Sequence, residues 1–394
     1  MTHGKECFRE LDRRHRARVV ALGVTTGRAQ RPPETAPSAI TVVDAASGLP
    51  PALAQRLEGA RRFLREGAHA PGTRRKYAED FAQFSGWCQR HGLSPLPAEP
   101  GLVALYVHAL VDPDPSNPPR VRRSPHGPRG PEPGRGPMHP SSITRVVAAI
   151  RYAHTLEGLG SPTAHPLVRE ALRAARRTVG VAPRRRVQAA VAEVVGRMLL
   201  GLDDSPRHRR DRALLTLGFA GAFRRAALVS LNLADVVRVP EGLEVTLRRD
   251  KTDQAGAGRT LTIAPGARGP TCPVLAVLAW VEALAALGFT EGPLFRFIDR
   301  HGNVRPAHRR AASDRLSPQS VAHVVQRRAR AAGLDPAQFA GHSLRAGFVT
   351  SATRAGKTIP KIMEQTGHRS ADTVMAYVRE ADRWRDPASG GIGL

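Results

Sequence analysis

The end of the chain carries the residue types that chemistry on a phosphate needs. Gly341-His342-Ser343-Leu344-Arg345 is followed, 26 residues past His342, by Gly367-His368-Arg369-Ser370, and Tyr377 comes nine residues past His368. Tyr377 is the only tyrosine after Tyr152, so the second half of the chain offers one phenolic nucleophile. Guanidinium groups present forked donors to non-bridging phosphate oxygens, histidines move protons near neutral pH, and a phenol can attack phosphorus. The histidines lack the spacing of a metal site.

Lysine usage adds a second signal. Only five of the 60 basic residues are lysines, and Lys251 is the single one between Lys76 and Lys357. A guanidinium holds its proton in a protein, whereas an ammonium can release one. Lys251 is therefore a candidate proton donor. Taken singly, each residue has a plainer reading. His342 reads as a helix cap, Arg345 as one solvated arginine among many, His368 as part of a helix-ending turn, and Tyr377 as an aromatic packed beside Val374 and Val378. It is the set, in this order, that points to a site.

The elements that must position these groups follow from periodicity. The 394 residues have room for two cores. Residues 1–50 show no period and read as a disordered extension. From 51 to 180 apolar residues recur at helical spacing, through Leu53, Leu57 and Phe63, then Tyr77, Phe81, Phe84, Trp87 and Cys88, then roughly 97–110, 141–154 and 165–178. One Pro-rich loop, 111–137, interrupts this module with nine prolines and four glycines. Residues 181–187 read as a basic linker, 188–380 as a mixed domain and 381–394 as a tail. In the mixed domain Ser205-Pro206 reads as a cap and first turn. Val237–Val239, Leu243–Arg249 and Arg259–Ile263 alternate like three short strands, with Lys251 in the polar turn between the last two. Helices are expected at 272–287, 318–332, 342–355, 359–366 and 371–380. The fold class is thus mainly α with a small antiparallel β-sheet.

With these residues in place, 205–380 resembles the catalytic domain of the tyrosine recombinase, or phage integrase, family. Residues 51–180 more weakly resemble that family's helical core-binding domain. The family's site holds, in chain order, an Arg, a Lys, a His, an Arg, a further His or Trp, and the Tyr. The resemblance assigns these to Arg224, Lys251, His342, Arg345, His368 and Tyr377, with Arg225 as fallback for Arg224 within Phe223-Arg224-Arg225-Ala226-Ala227-Leu228. Ala227 stands where the family commonly has an acid. By the resemblance, Tyr377 attacks the phosphodiester and Arg224 and Arg345 clamp its oxygens. His342 serves as the nucleophile's acid/base partner, His368 donates to the phosphate, and Lys251 protonates the leaving 5′-oxygen. It also implies a two-domain C-shaped clamp on double-stranded DNA and a homotetramer on its recombination sites, a monomer or dimer when free, with no metal or nucleotide cofactor.

A net charge of +26 agrees with a polyanionic partner, although a compositional bias toward Arg, Ala, Gly and Pro raises basic content as well. Expected DNA contacts are Arg74, Arg75, Lys76, Arg145, Arg151 and the linker residues Arg184, Arg185 and Arg186, most of them to phosphates. No apolar run approaches a membrane span. The first residues lack a signal peptide's apolar stretch, and Cys7, Cys88 and Cys272 form no disulfide or zinc pattern. A cytoplasmic, nucleoid-associated protein is expected. The leading function is site-specific recombination, serving a mobile element, plasmid or prophage. The alternatives are a catalytically weakened, recombinase-derived DNA-binding protein, which Ala227 favours, and a type IB topoisomerase, which the helical N-terminal module disfavours.

Overall fold

The computed structural model describes residues 69–114, 136–182, 187–248, 257–304 and 314–381, with residue 50 and scattered positions from 52 to 67. The chain divides between Ala182 and Pro183 into two compact units. Most of the expected basic linker 181–187 (183–186), of the C-terminal tail 381–394 (382–394) and of the Pro-rich loop 111–137 (115–135) lies outside the described residues.

The first unit is helical. Its elements are α1 (Pro71–Arg90), α2 (Pro100–Val111), α3 (Pro140–Leu156) and α4 (Pro166–Val179), and the described positions between 52 and 67 are helical too. Each of the four opens on a proline, where the missing N–H had no helical partner to lose. The expected start of α2 near 97 moves to Pro100, because a proline disfavours helical geometry in the residue before it and tolerates it on its C-terminal side. Phe84, Tyr106, Ile143, Ile150 and Val168 fill the core between α1, α2, α3 and α4. Two polar contacts fix the register. Buried Asp80 of α1 takes the Nε of Arg145 from α3 at 2.6 Å. His154 is a satisfied core histidine, with Nδ1 on the Ile150 carbonyl and Nε2 accepting the Ala98 N–H at 2.9 Å.

The second unit is built around α6 (Pro206–Ala220), which packs against α8 (Pro273–Ala286) and α10 (Ser343–Arg354). Around these lie α5 (Ala192–Leu199), α7 (Arg225–Ser230), α9 (Pro318–Ala331), α11 (Ile359–Thr366) and α12 (Ala371–Ala381). Strands β1 (Val236–Val239), β2 (Gly242–Leu247) and β3 (Arg259–Ile263) form an antiparallel sheet in sequence order, with Val245 opposite both Val236 and Leu261. Along β2, Leu243, Val245 and Leu247 point inward while Glu244 and Thr246 face out, the alternation a one-sided sheet requires. Leu214, Leu217, Trp280, Phe295, Val325 and Leu344 share one core.

Two details correct the sequence reading. Ser205 stands at the N-cap of α6, yet its hydroxyl caps nothing; its own N–H donates to Asp203 Oδ1 at 2.9 Å. The fully buried α6 residue Asp211 was not anticipated. It holds Arg210 at 2.8 Å and also receives Arg327 of α9, so a charge removed from water is paired twice. No helix among the described residues is long and apolar enough to cross a membrane.

Candidate active site

Helix α10 brings the first group in. It runs so close to the strap before α5 that a Cβ on Gly347 would meet the Ala190 carbonyl oxygen at 1.8 Å, and only glycine fits. The Ala190 N–H donates to the Ser343 carbonyl at 2.9 Å, and the Ala192 N–H to Ser351 Oγ at 3.1 Å. This seating drives Arg345 into the interior at 2% exposure. Its Nη1 donates to two carbonyls, Ala222 at 2.8 Å and Thr366 at 2.6 Å. Ala222 has φ 48°, the only positive φ outside glycine among the described residues, and its strained turn aims that carbonyl and leads directly into Arg224 at the N-cap of α7. Arg225, the fallback, is exposed and donates to Gln319 Oε1 at 3.2 Å, while Arg224 is half-buried.

Helix α11 places the next. It ends at Gly367, whose φ of 66° is the left-handed cap that glycine adopts without penalty. Arg259, at the start of β3, lies over that glycine and donates to the helix-end carbonyls of Glu364 (2.8 Å) and Gln365 (3.3 Å). Gln365 Nε2 reaches the Ala220 carbonyl at 2.9 Å, tying α11 to the end of α6. His368 comes next, half-buried, with Nδ1 2.8 Å from the hydroxyl of Thr366. Burial, then the positive charges of Arg345 and Arg224, with His342 and Arg259 behind them, push its pKa down to about 4.

Helix α12 supplies the phenol. Val374 is fully buried against Val349, Ala352 and Ile362, and the Tyr377 ring packs on the same cluster. The Tyr377 hydroxyl lies 2.7 Å from His342 Nε2. His342 has an exposed surface, but burial of its ring and then Arg345, Arg224 and Arg225 hold its pKa below the ordinary 6.5. A neutral imidazole results, able to accept the phenolic proton. Tyr377 packs as its plainer reading expects, on the Val374 cluster, while its hydroxyl is left to bond His342.

The sequence matches known proteins. The model of the phage integrase family matches residues 190–383. The integrase/recombinase xerD homolog of Selenomonas ruminantium is 33% identical over 334 residues, spanning 84% of this chain and 87% of that protein. The chain belongs to the phage integrase family. The recombinase cre of Escherichia phage P1 is 23% identical over 311 residues, covering 76% of this chain and 81% of its own. The crystal structure of XerH site-specific recombinase in a post-cleavage complex with its palindromic difH substrate shares the fold, with a TM-score of 0.52 and 13% identity over 84% of this chain and 85% of that one.

Within this family member, five of the six expected site residues lie in one neighbourhood: Arg224, His342, Arg345, His368 and Tyr377. Lys251 and the expected contacts Arg184, Arg185 and Arg186 lie outside the described residues. Ala227 is buried at 5% exposure, packed into the core as an aliphatic residue. On the first unit, Arg75 and Arg151 are exposed and Arg74 is half-buried. Arg145 is engaged with Asp80, which raises its pKa through their hydrogen bond, and Lys76 pairs with Glu79 at 2.8 Å. Sequence reasoning missed Thr366, Arg259, Gln365 and Ala222, which hold the site by backbone or hydroxyl contacts. The Gly367-His368 turn was the one signal pointing at them, since a left-handed cap leaves helix-end carbonyls for other donors.

Proposed function

We propose that this chain is a site-specific DNA recombinase that cuts one strand through Tyr377 and reseals it to a new partner. The observation that carries the reading is the 2.7 Å contact between the Tyr377 hydroxyl and His342 Nε2, near buried Arg345 and half-buried Arg224, in a member of the phage integrase family. His342, neutral, takes the phenolic proton as Tyr377 Oη bonds to phosphorus. The bond to the 5′-oxygen breaks, leaving a 3′-phosphotyrosine and a 5′-hydroxyl that takes a proton, with Lys251 the proposed donor. Arg224 and Arg345 stabilise the charge that grows on the non-bridging oxygens. Resealing reverses these steps with the 5′-hydroxyl of another strand.

The Tyr377 contact forms within one chain, which supports attack in cis. Duplex DNA bearing recombination sites is the proposed partner, bound as a homotetramer with the two units clasping it. Arg74, Arg75, Lys76, Arg145, Arg151 and Arg184–Arg186 are the proposed phosphate contacts, Arg145 and Lys76 by exchanging their present partners. A mobile element, plasmid or prophage is the proposed context, and the nucleoid of the cytoplasm the proposed location.

Ala227 favours a second reading, a DNA-binding protein that has lost its chemistry. One experiment separates them. A nicked suicide duplex carrying the inverted repeats that flank the gene is incubated with the chain, and the covalent protein–DNA adduct is measured. The recombinase accumulates adduct, and Tyr377→Phe removes it while duplex binding persists. An adduct that survives Tyr377→Phe, or duplex binding with no adduct in the parent chain, overturns the assignment.

A further inference from the structure

Thr366 is fully buried and stands between two members of the site. Its carbonyl accepts Arg345 Nη1 at 2.6 Å. Its hydroxyl lies 2.7 Å from the Ile362 carbonyl and 2.8 Å from His368 Nδ1. A hydroxyl has one proton to give, and a carbonyl can only accept. Both contacts are therefore satisfied at once in a single arrangement, in which Nδ1–H donates to Oγ1 and the hydroxyl donates to Ile362. We propose that Thr366 is a positioning residue that fixes the ring orientation and the Nδ1–H tautomer of His368, so that His368 contacts the scissile phosphate from Nε2 only after taking up a proton. This deepens the strand-transfer reading above and rests on it.

The two ring nitrogens then have different tasks. Nδ1 is committed to Thr366, so Nε2 is the nitrogen left for a ligand. In the neutral Nδ1–H ring Nε2 is a lone pair, and a lone pair repels a phosphate oxygen. The groups facing His368 are Arg345 of α10, Arg224 at the start of α7, Arg259 of β3 and His342 at the start of α10, and the three guanidinium charges oppose a positive ring. A phosphodiester anion reverses that balance for the group beside it. One proton then passes from solvent to Nε2, giving an imidazolium that donates to both Thr366 and the phosphate. His342 is spared this uptake because its Nε2 already holds the Tyr377 hydroxyl. A residue that binds the arginine by its backbone and the histidine by its side chain also couples the placement of both.

Two measurements on the full chain test this. The tautomer of His368 is read from ring nitrogen shifts in long-range proton–nitrogen NMR spectra, with His368→Gln identifying its signals. The parent is expected to show Nδ1–H, Thr366→Val to shift toward Nε2–H, and Thr366→Ser to restore the parent pattern. In single-turnover cleavage of the suicide duplex, the parent rate falls as pH rises above neutrality, the Thr366→Val rate loses most of that fall, and Thr366→Ser regains it. An Nε2–H ring in the parent, or a Thr366→Val variant with the parent's tautomer and pH profile, overturns the proposal. The parent's tautomer decides the matter even if Thr366→Val does not fold. Absence of adduct in the parent would count against the recombinase reading, while the nitrogen shifts would still judge Thr366.

Discussion

A histidine can accept a phenolic proton only while it is uncharged, and burial with the arginines around His342 favours that state. Burial first, then Arg345, Arg224 and Arg225, lower its pKa from 6.5. The sign is fixed: a lowered pKa keeps the base competent at and below neutral pH, and competence is lost as pH falls past the lowered value. From neutral pH downward, adduct formation is therefore expected to hold steady to about pH 6.5, the ordinary histidine value, and to fall on the acid side only below it. His342→Gln, which can still contact Tyr377 but cannot take its proton, should lower the single-turnover rate about 10²-fold or more and erase the acid limb, with duplex affinity unchanged. Rate–pH profiles of both proteins decide this; an acid limb that persists in His342→Gln would assign it to another group.

The helices that deliver these side chains depend on close approach as much as on apolar area. Gly347 sits where a Cβ would lie 1.8 Å from the Ala190 carbonyl oxygen and 2.3 Å from its carbon, both backbone atoms that cannot step aside. Gly347→Ala should therefore destabilise the second unit by about 1–3 kcal/mol, by forcing the strap off α10. Gly101→Ala in α2, exposed with open space around it, should be neutral or mildly stabilising. Urea midpoints of the two variants test the contrast, and equal midpoints would refute it. The same elements show what a sequence can disclose. Helices with a sustained 3.6-residue period, such as α1, α3 and α9, and strands with clear alternation, such as β2, were legible with ends good to a few residues. Helix α7 was not, because six residues give periodicity too little to work on. The buried Phe295, Ile298 and Leu316 come from irregular chain with no period at all. In the site, the histidines, Arg345 and Tyr377 were legible because their types and spacing are rare together. Thr366, Arg259 and Gln365 were not, because a carbonyl or hydroxyl contact depends on where two distant segments meet.

For the whole molecule, charge sets both stability and binding. His368 titrates near 6.5 when unfolded and at about 4 when folded, so between those values the unfolded chain binds the extra proton. Stability should drop as pH falls from 6.5 toward 4, and His368→Gln should flatten that part of a thermal-melt series. The net charge of +26 acts at longer range. Arginines that neutralise phosphates release condensed counterions, so the logarithm of duplex affinity falls linearly with the logarithm of salt concentration. If about six to ten phosphates are engaged, raising salt from 50 to 200 mM should cost on the order of 10³–10⁵ in affinity. Exposed Arg75 and Arg151 each supply one such contact in the proposed complex, so Arg75→Ala and Arg151→Ala should each reduce the slope by about one. Arg145 behaves differently. Its guanidinium is already shared with Asp80, and Arg145→Ala leaves a buried carboxylate without that partner. That variant should lose stability as well as affinity. Fluorescence anisotropy of a labelled duplex across a salt series, beside melts of the same variants, separates the two effects. A salt slope near zero in the parent would mean that the positive charge is dispersed over surfaces DNA never meets.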